Sequence, residues 1–176
     1  MNDYENKEVD DYSFDRKTTK EIKIELDGKT LVVPTDFPTI QDAVNAAKPG
    51  DTIEVLEGVY LENVRITTDR ITIQSRADDT VVLNGTGLSG TGFEIEHAEG
   101  VRIQDFFIVN YSTGIFIGGK NHFITDIVAA ENSTFGIVVR GLNQTVEDSE
   151  FSGNGAAGIN VSGRNHTIRN CSLGSE

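Results

Sequence analysis

Thr91-Gly92-Phe93-Glu94-Ile95, Thr113-Gly114-Ile115-Phe116-Ile117, Phe135-Gly136-Ile137-Val138-Val139 and Ala157-Gly158-Ile159-Asn160-Val161 are four versions of one phrase, recurring at a constant 22-residue step. Its third and fifth places are always apolar. One more such step back from Phe93 and Ile95 reaches Ile71 and Ile73, which extends both columns to five units. A further column, Ile103, Ile124, Val146 and Ile168, advances by one 21-residue step and then two 22-residue steps, which places a single-position slip in a turn. Asn110, Asn132 and Asn154 keep the 22-residue step, as do Asn121, Asn143 and Asn165.

Internal repetition at a fixed period marks an array architecture. Each unit holds short β-branched strands and turn residues, with no helical pattern, so neither a horseshoe nor a helical array fits. A coil whose turns stack strand upon strand in parallel does fit. Like residues then lie one strand spacing apart, ~4.8 Å, in continuous inward columns. Slippage is tolerable only in turns, because inside a strand it would turn every side chain to the other face. The expected fold is an all-β parallel β-helix with one repeat per turn of the coil, its repeat glycines marking turns.

Outward from the repeats, Ile40, Ala43, Val44 and Ala47 recur at helical spacing. Thr39 with Asp42 forms an N-terminal cap signal and Pro49-Gly50 a stop, predicting a capping helix over about 39–48. Before it, Ile22, Ile24 and Leu26 alternate with charged residues, then Asp27-Gly28 leads into Thr30 to Val33, which predicts a β-hairpin. Residues 1–20 are polar and acidic and predict a disordered tail, leaving 21–176 as one β-helix domain. The last turn begins at Ile159 with no cap signal after it, so the C-terminal end of the coil is expected to be open to self-association.

Phe37-Pro38-Thr39-Ile40-Gln41-Asp42-Ala43-Val44, then Pro49-Gly50-Asp51-Thr52-Ile53, Gly58-Val59-Tyr60 and Glu62-Asn63-Val64, resemble the opening of pectin methylesterases. The later Asn-x-x-x-Gly-Ile units are similar to the periplasmic nitrous-oxide-reductase maturation type of repeat. Together they resemble the right-handed, pectin-lyase-like β-helix superfamily from about Val33 onward. The resemblance implies a right-handed coil, a helix closing its N-terminal end, and an extracellular or cell-surface setting with a polysaccharide or glycan as partner. Activity does not follow, because such folds host lyases, hydrolases, esterases, epimerases and non-catalytic proteins. The methylesterase and epimerase catalytic patterns are absent, and no Arg or Lys base accompanies the acidic column described below.

Composition narrows the partners. With 28 Asp and Glu against 15 Lys and Arg, the net charge is −13, which argues against nucleic acid and anionic lipid. No run approaches the ~20 apolar residues of a membrane helix. A single cysteine excludes a disulfide framework and cysteine-based zinc sites. Cys171 aligns with Phe106, Ile127 and Ser149 on an inward column, where a thiol is inert.

Asp105, Asp126 and Asp148, continued by Asn170, form the most chemically loaded column. Carboxylates ~4.8 Å apart repel by ~3.5 kcal/mol at an effective dielectric near 20. Three roles fit them: turn residues stabilised by their own side chains, oxygen ligands for Ca²⁺, or an acid pair for glycoside hydrolysis. His122, Gln144 and His166 form another column, with the histidines two turns apart, too far to share a metal ion. Phe107, Phe116, Phe123 and Val138 are expected on outward strand faces as a ligand surface. Seven Asn-x-Ser/Thr sequons occur, and those at Asn110 and Asn132 fall on the expected inward amide ladder, where a glycan does not fit. The expected function is a carbohydrate-associated surface module that binds rather than catalyses. The alternatives are a structural assembly segment and a Ca²⁺-dependent polysaccharide lyase or glycoside hydrolase.

Overall fold

A computed structural model describes residues 28–174. The expected tail and the first arm of the hairpin lie outside the described residues. The order is β1 (Thr30–Val33), α1 (Ile40–Ala46), β2 (Thr52–Val55), β3 (Gly58–Tyr60), β4 (Val64–Ile66), β5 (Thr72–Ser75) and β6 (Val81–Asn84). β7 (Thr91–Ile95), β8 (Arg102–Val109), β9 (Thr113–Ile117), β10 (Phe123–Ala130), β11 (Phe135–Val139), β12 (Thr145–Glu147), β13 (Ala157–Val161) and β14 (Thr167–Arg169) follow. Every strand pairing is parallel, and the chain winds through about six turns of a right-handed β-helix.

One sheet runs β1-β2-β5-β8-β10-β12-β14, a second runs β4-β7-β9-β11-β13, and β3 and β6 extend the first onto a third face through β8. The predicted inward columns are the core. Phe93, Ile95, Ile115, Ile117, Ile137 and Val139 are fully buried, as are Ile103, Ile124 and Val146. Each such side chain contributes ~2 kcal/mol of gross burial energy. Ile103 pairs with Ile124 and Ile124 with Val146, so the 21-residue step is real. The slip enters where Glu96-His97-Ala98 is answered by Gly118-Gly119, and it is undone at Ser133, so no strand carries it.

α1 lies over β1, β2 and β4 and buries Ile40, Ala43, Val44 and Ala47, closing that end of the core. The Thr39 side chain accepts the Asp42 N–H. Both carboxylate oxygens of Glu62 accept the next free donors, the N–H groups of Ile40 and Gln41, at 3.0 and 2.8 Å.

Three corners define each full turn, and each is a residue in the left-handed region followed by an inward one. Gly100, Asn121, Asn143 and Asn165 make the first corner; Asp105, Asp126, Asp148 and Asn170 the second; Asn110, Glu131 and Gly153 the third. A left-handed corner turns the next N–H out of the strand ladder, and a side chain from the following turn accepts it. Thus Val101 N–H donates to His122 Nδ1, His122 N–H to Gln144 Oε1, and Gln144 N–H to His166 Nδ1. Tyr111 N–H donates to Asn132 Oδ1 and Asn132 N–H to Asn154 Oδ1, both at 3.0 Å.

Three expectations are corrected here. Phe93 and Ile95 stack on Val64 and Ile66; Ile73 lies in the other sheet, where it pairs with Ile53 and Ile103, and Ile71 immediately precedes that strand. The buried ladder is Tyr111, Asn132 and Asn154, whereas Asn110 is an exposed corner, one position out of phase because of the 21-residue step. The glycan argument therefore holds at Asn132 and fails at Asn110. The repeat glycines are not turn residues: Gly92, Gly114, Gly136 and Gly158 lie inside strands, and the first three face a carbonyl of the next turn of the coil.

Candidate functional site

The acidic column is the second corner. Asp105, Asp126 and Asp148 have φ of 63°, 54° and 50°, a conformation that Asn and Asp tolerate better than most residues. Their side chains are exposed and take local partners: Thr125 Oγ1 donates to Asp126 at 2.9 Å and Asn170 Nδ2 to Asp148 at 3.0 Å. Water screens the repulsion, yet burial and then the charge of Asp126 push the Asp105 carboxyl above its ordinary range. Among the described residues, no three His, Cys, Asp or Glu side chains converge as a metal site. The calcium expectation at these residues gains no support.

A carboxyl whose folded pKa is raised contributes stability that is full below its unfolded pKa and is lost as pH rises through the folded value. Asp105→Asn removes that loss and suits the left-handed corner, as Asn170 does three turns on. It is expected to gain about 0.5 kcal/mol at pH 7 and nothing at pH 3, by urea unfolding at both pH values. An equal effect at the two pH values would contradict the charge argument.

The aromatic surface is not one surface. Phe107 is 45 % exposed and stacks between Val82 and Val128 on one face. Phe123 lies on another, with the Arg102 guanidinium 4.1 Å from its ring centre. Phe116 and Val138 are neighbours on the second sheet, but Val138 is only 6 % exposed, against expectation. Packing between β9 and β13 covers it, so it offers no ligand face.

The histidine column is structural. His122 is 1 % exposed and accepts the Val101 N–H on Nδ1, while its buried Nε2 makes no hydrogen bond among the described residues. Burial holds its pKa below the ordinary histidine value. Gln144 occupies the same place one turn on and sends its Nε2 to Gly118 O, Gly119 O and Arg140 O. His166 Nε2 lies 3.0 Å from Ser162 O. Cys171 sits half-buried on the next corner's inward column, and burial raises its thiol pKa, as expected of an unreactive thiol.

A groove of about 430 Å³ opens along the third corner, lined by Leu88, Ser89, Gly90, Asn110, Tyr111, Ser112, Glu131 and Ser133. Three turns of the coil contribute to it. The loop after β6 is held by Asn63 Nδ2, which donates to Ser89 O and Thr91 O at 3.1 and 2.7 Å. Asn110 Nδ2 donates to Asn84 Oδ1 at 3.0 Å, and that oxygen also takes the Thr86 N–H and hydroxyl. Tyr111 is buried beneath, its hydroxyl donating to Glu62 O, in space left by Gly85 and Gly92. Residues 111 and 132 supply the rigid ladder, and 110, 112, 131 and 133 supply the polar edge. None of these groove residues was expected as a site. The available signal was the 21-residue step, which aligns Asn110 with Glu131.

With this geometry in hand, the family profile described as periplasmic copper-binding protein (NosD) matches residues 44–175. The chain belongs to the NosD family. Comparison with curated proteins and with solved structures gave no match. The match agrees with the stacked-turn architecture and with a cell-envelope setting. The donor set described above does not fit the copper of the family's description. His122 and His166 are two turns apart and each spends Nδ1 on a backbone N–H, while His97 stands alone on the surface beside Glu96. No helix of the described residues is long and apolar enough to cross a membrane.

Proposed function

We propose that this chain is a glycan-binding module of the cell envelope, and that the third-corner groove is its binding site. The observation that carries the reading is the lining itself. Ser89, Ser112, Ser133 and Asn110 line one open groove together with the apolar Leu88. Such a mixture matches a polyhydroxylated ligand with one apolar sugar face. Rigid backing from the Tyr111–Asn132–Asn154 ladder keeps the ordering cost of binding low.

A panel of neutral, amine-bearing and uronate oligosaccharides, titrated by calorimetry with and without Ca²⁺, tests this. Binding at ~1 mM or tighter is expected for a subset of the panel. Ser133→Tyr, which fills the groove from an exposed position, is expected to weaken it at least ~10-fold without changing the unfolding midpoint. No binding across the panel would overturn the proposal, and turnover of any glycan would replace it with an enzyme.

A further inference from the structure

We infer that Glu131 selects the class of glycan the groove accepts, favouring sugars that carry a free amine over neutral or uronate sugars. The inference rests on the groove reading above. Three observations carry it. Glu131 is the only charged side chain lining the groove, and no Lys, Arg or His lines it. No ion pair among the described residues engages its carboxylate. And its backbone has φ of 55°, at a corner where the neighbouring turns use Asn110 and Gly153.

The third point separates function from packing. A left-handed conformation disfavours Glu and costs little for Asn or Gly, so the fold alone would place one of those two at position 131. At this corner strain is kept at one turn and avoided at its neighbours, which fits a residue retained for its side chain; Arg70, at φ of 51°, is the one other described left-handed residue that is neither Gly, Asn nor Asp. Glu131 lines the same groove as Asn110, Ser112 and Ser133. An ammonium group seated there would form a charge-assisted hydrogen bond with Glu131, while the sugar hydroxyls meet the neutral groups. A uronate carboxylate would meet like charge at the same place.

The test compares a β-1,4-linked glucosamine oligomer with its N-acetylated counterpart, titrated calorimetrically into the full chain at about 0.15 M salt to screen the overall charge. The free-amine form is expected to bind at least ~10-fold tighter, the range of one charge-assisted hydrogen bond. Glu131→Gln, which keeps the backbone strain and removes the charge, should bring the two within ~2-fold. Asp148→Asn, the same charge change at a different corner, should leave the preference intact. Glu131→Asn should also raise Tm by ~3 °C while losing the preference, because it relieves the strain.

Equal binding of the two oligomers by the unaltered chain would overturn the role of Glu131 and leave the groove standing. A preference that survives Glu131→Gln would assign selectivity to the overall acidity instead. A lower Tm for Glu131→Asn would make Glu131 a structural residue. Absence of binding by either oligomer, or by any glycan, would remove the groove reading along with the inference.

Discussion

Gly114→Ala is expected to destabilise the coil by about 3 kcal/mol, although it adds a single methyl group to a β-strand. A Cβ at Gly114 would stand 2.6 Å from the carbonyl oxygen of Gly136, 3.1 Å from Asn132 Nδ2 and 3.2 Å from Ala129 Cβ. The nearest of these is backbone in the adjacent strand, so relief requires the two turns to part. Gly92 and Gly136 are equally tight, at 2.7 Å from the carbonyls of Gly114 and Gly158, and the whole column should respond alike. Gly87→Asn is the control. Gly87 has φ of 79°, which Asn tolerates, and nothing lies within 4 Å of its would-be Cβ. Urea unfolding should separate the two variants clearly. A Gly114→Ala protein as stable as the parent would mean that the turns are not held at this spacing.

Asn132→Ala is expected to cost about 4 kcal/mol. The Asn132 side chain is 1 % exposed; it accepts the Tyr111 N–H at 3.0 Å and donates to Asn154 Oδ1 at 3.0 Å and Ile108 O at 3.3 Å. Truncation strands those groups where water does not reach, and each stranded group costs ~1–3 kcal/mol. Asn110→Gly, at the exposed corner, should stay within about 0.5 kcal/mol of the parent, since Gly153 already fills the equivalent corner. Equilibrium denaturation of both proteins checks the pair. Similar losses at positions 110 and 132 would restore the amide ladder to the phase that a uniform 22-residue step predicts.

That phase error shows how far the sequence carries. In a parallel coil each turn touches only its neighbours, in register, so a contact in space is a fixed step along the chain. Ile115 over Ile137 and Ile124 over Val146 are legible for that reason. Asn110 over Asn132 fits the same arithmetic, yet it is wrong, because both slips fall in turns that carry no apolar marker. The glycines mislead differently. Their spacing is visible, but whether a glycine supplies a left-handed turn or clears a backbone contact depends on the neighbouring strand's distance.

The candidate site was less legible than the fold. Asp105, Asp126 and Asp148 stood out because like charges at one period are conspicuous, and their conspicuousness came from corner geometry. Leu88, Ser112 and Glu131 meet from three turns, through a loop that departs from the repeat and a register that slips against its period. No single column contains them.

The sequence by itself determined the parallel coil, its apolar columns and the helix that closes one end, because these depend on periodicity and local pattern alone. The tertiary structure decided which side chains meet at each corner, since one residue gained or lost in a turn rotates every later neighbour relative to the turn before. It also decided the groove, whose polar edge exists only where three turns of unequal length are stacked.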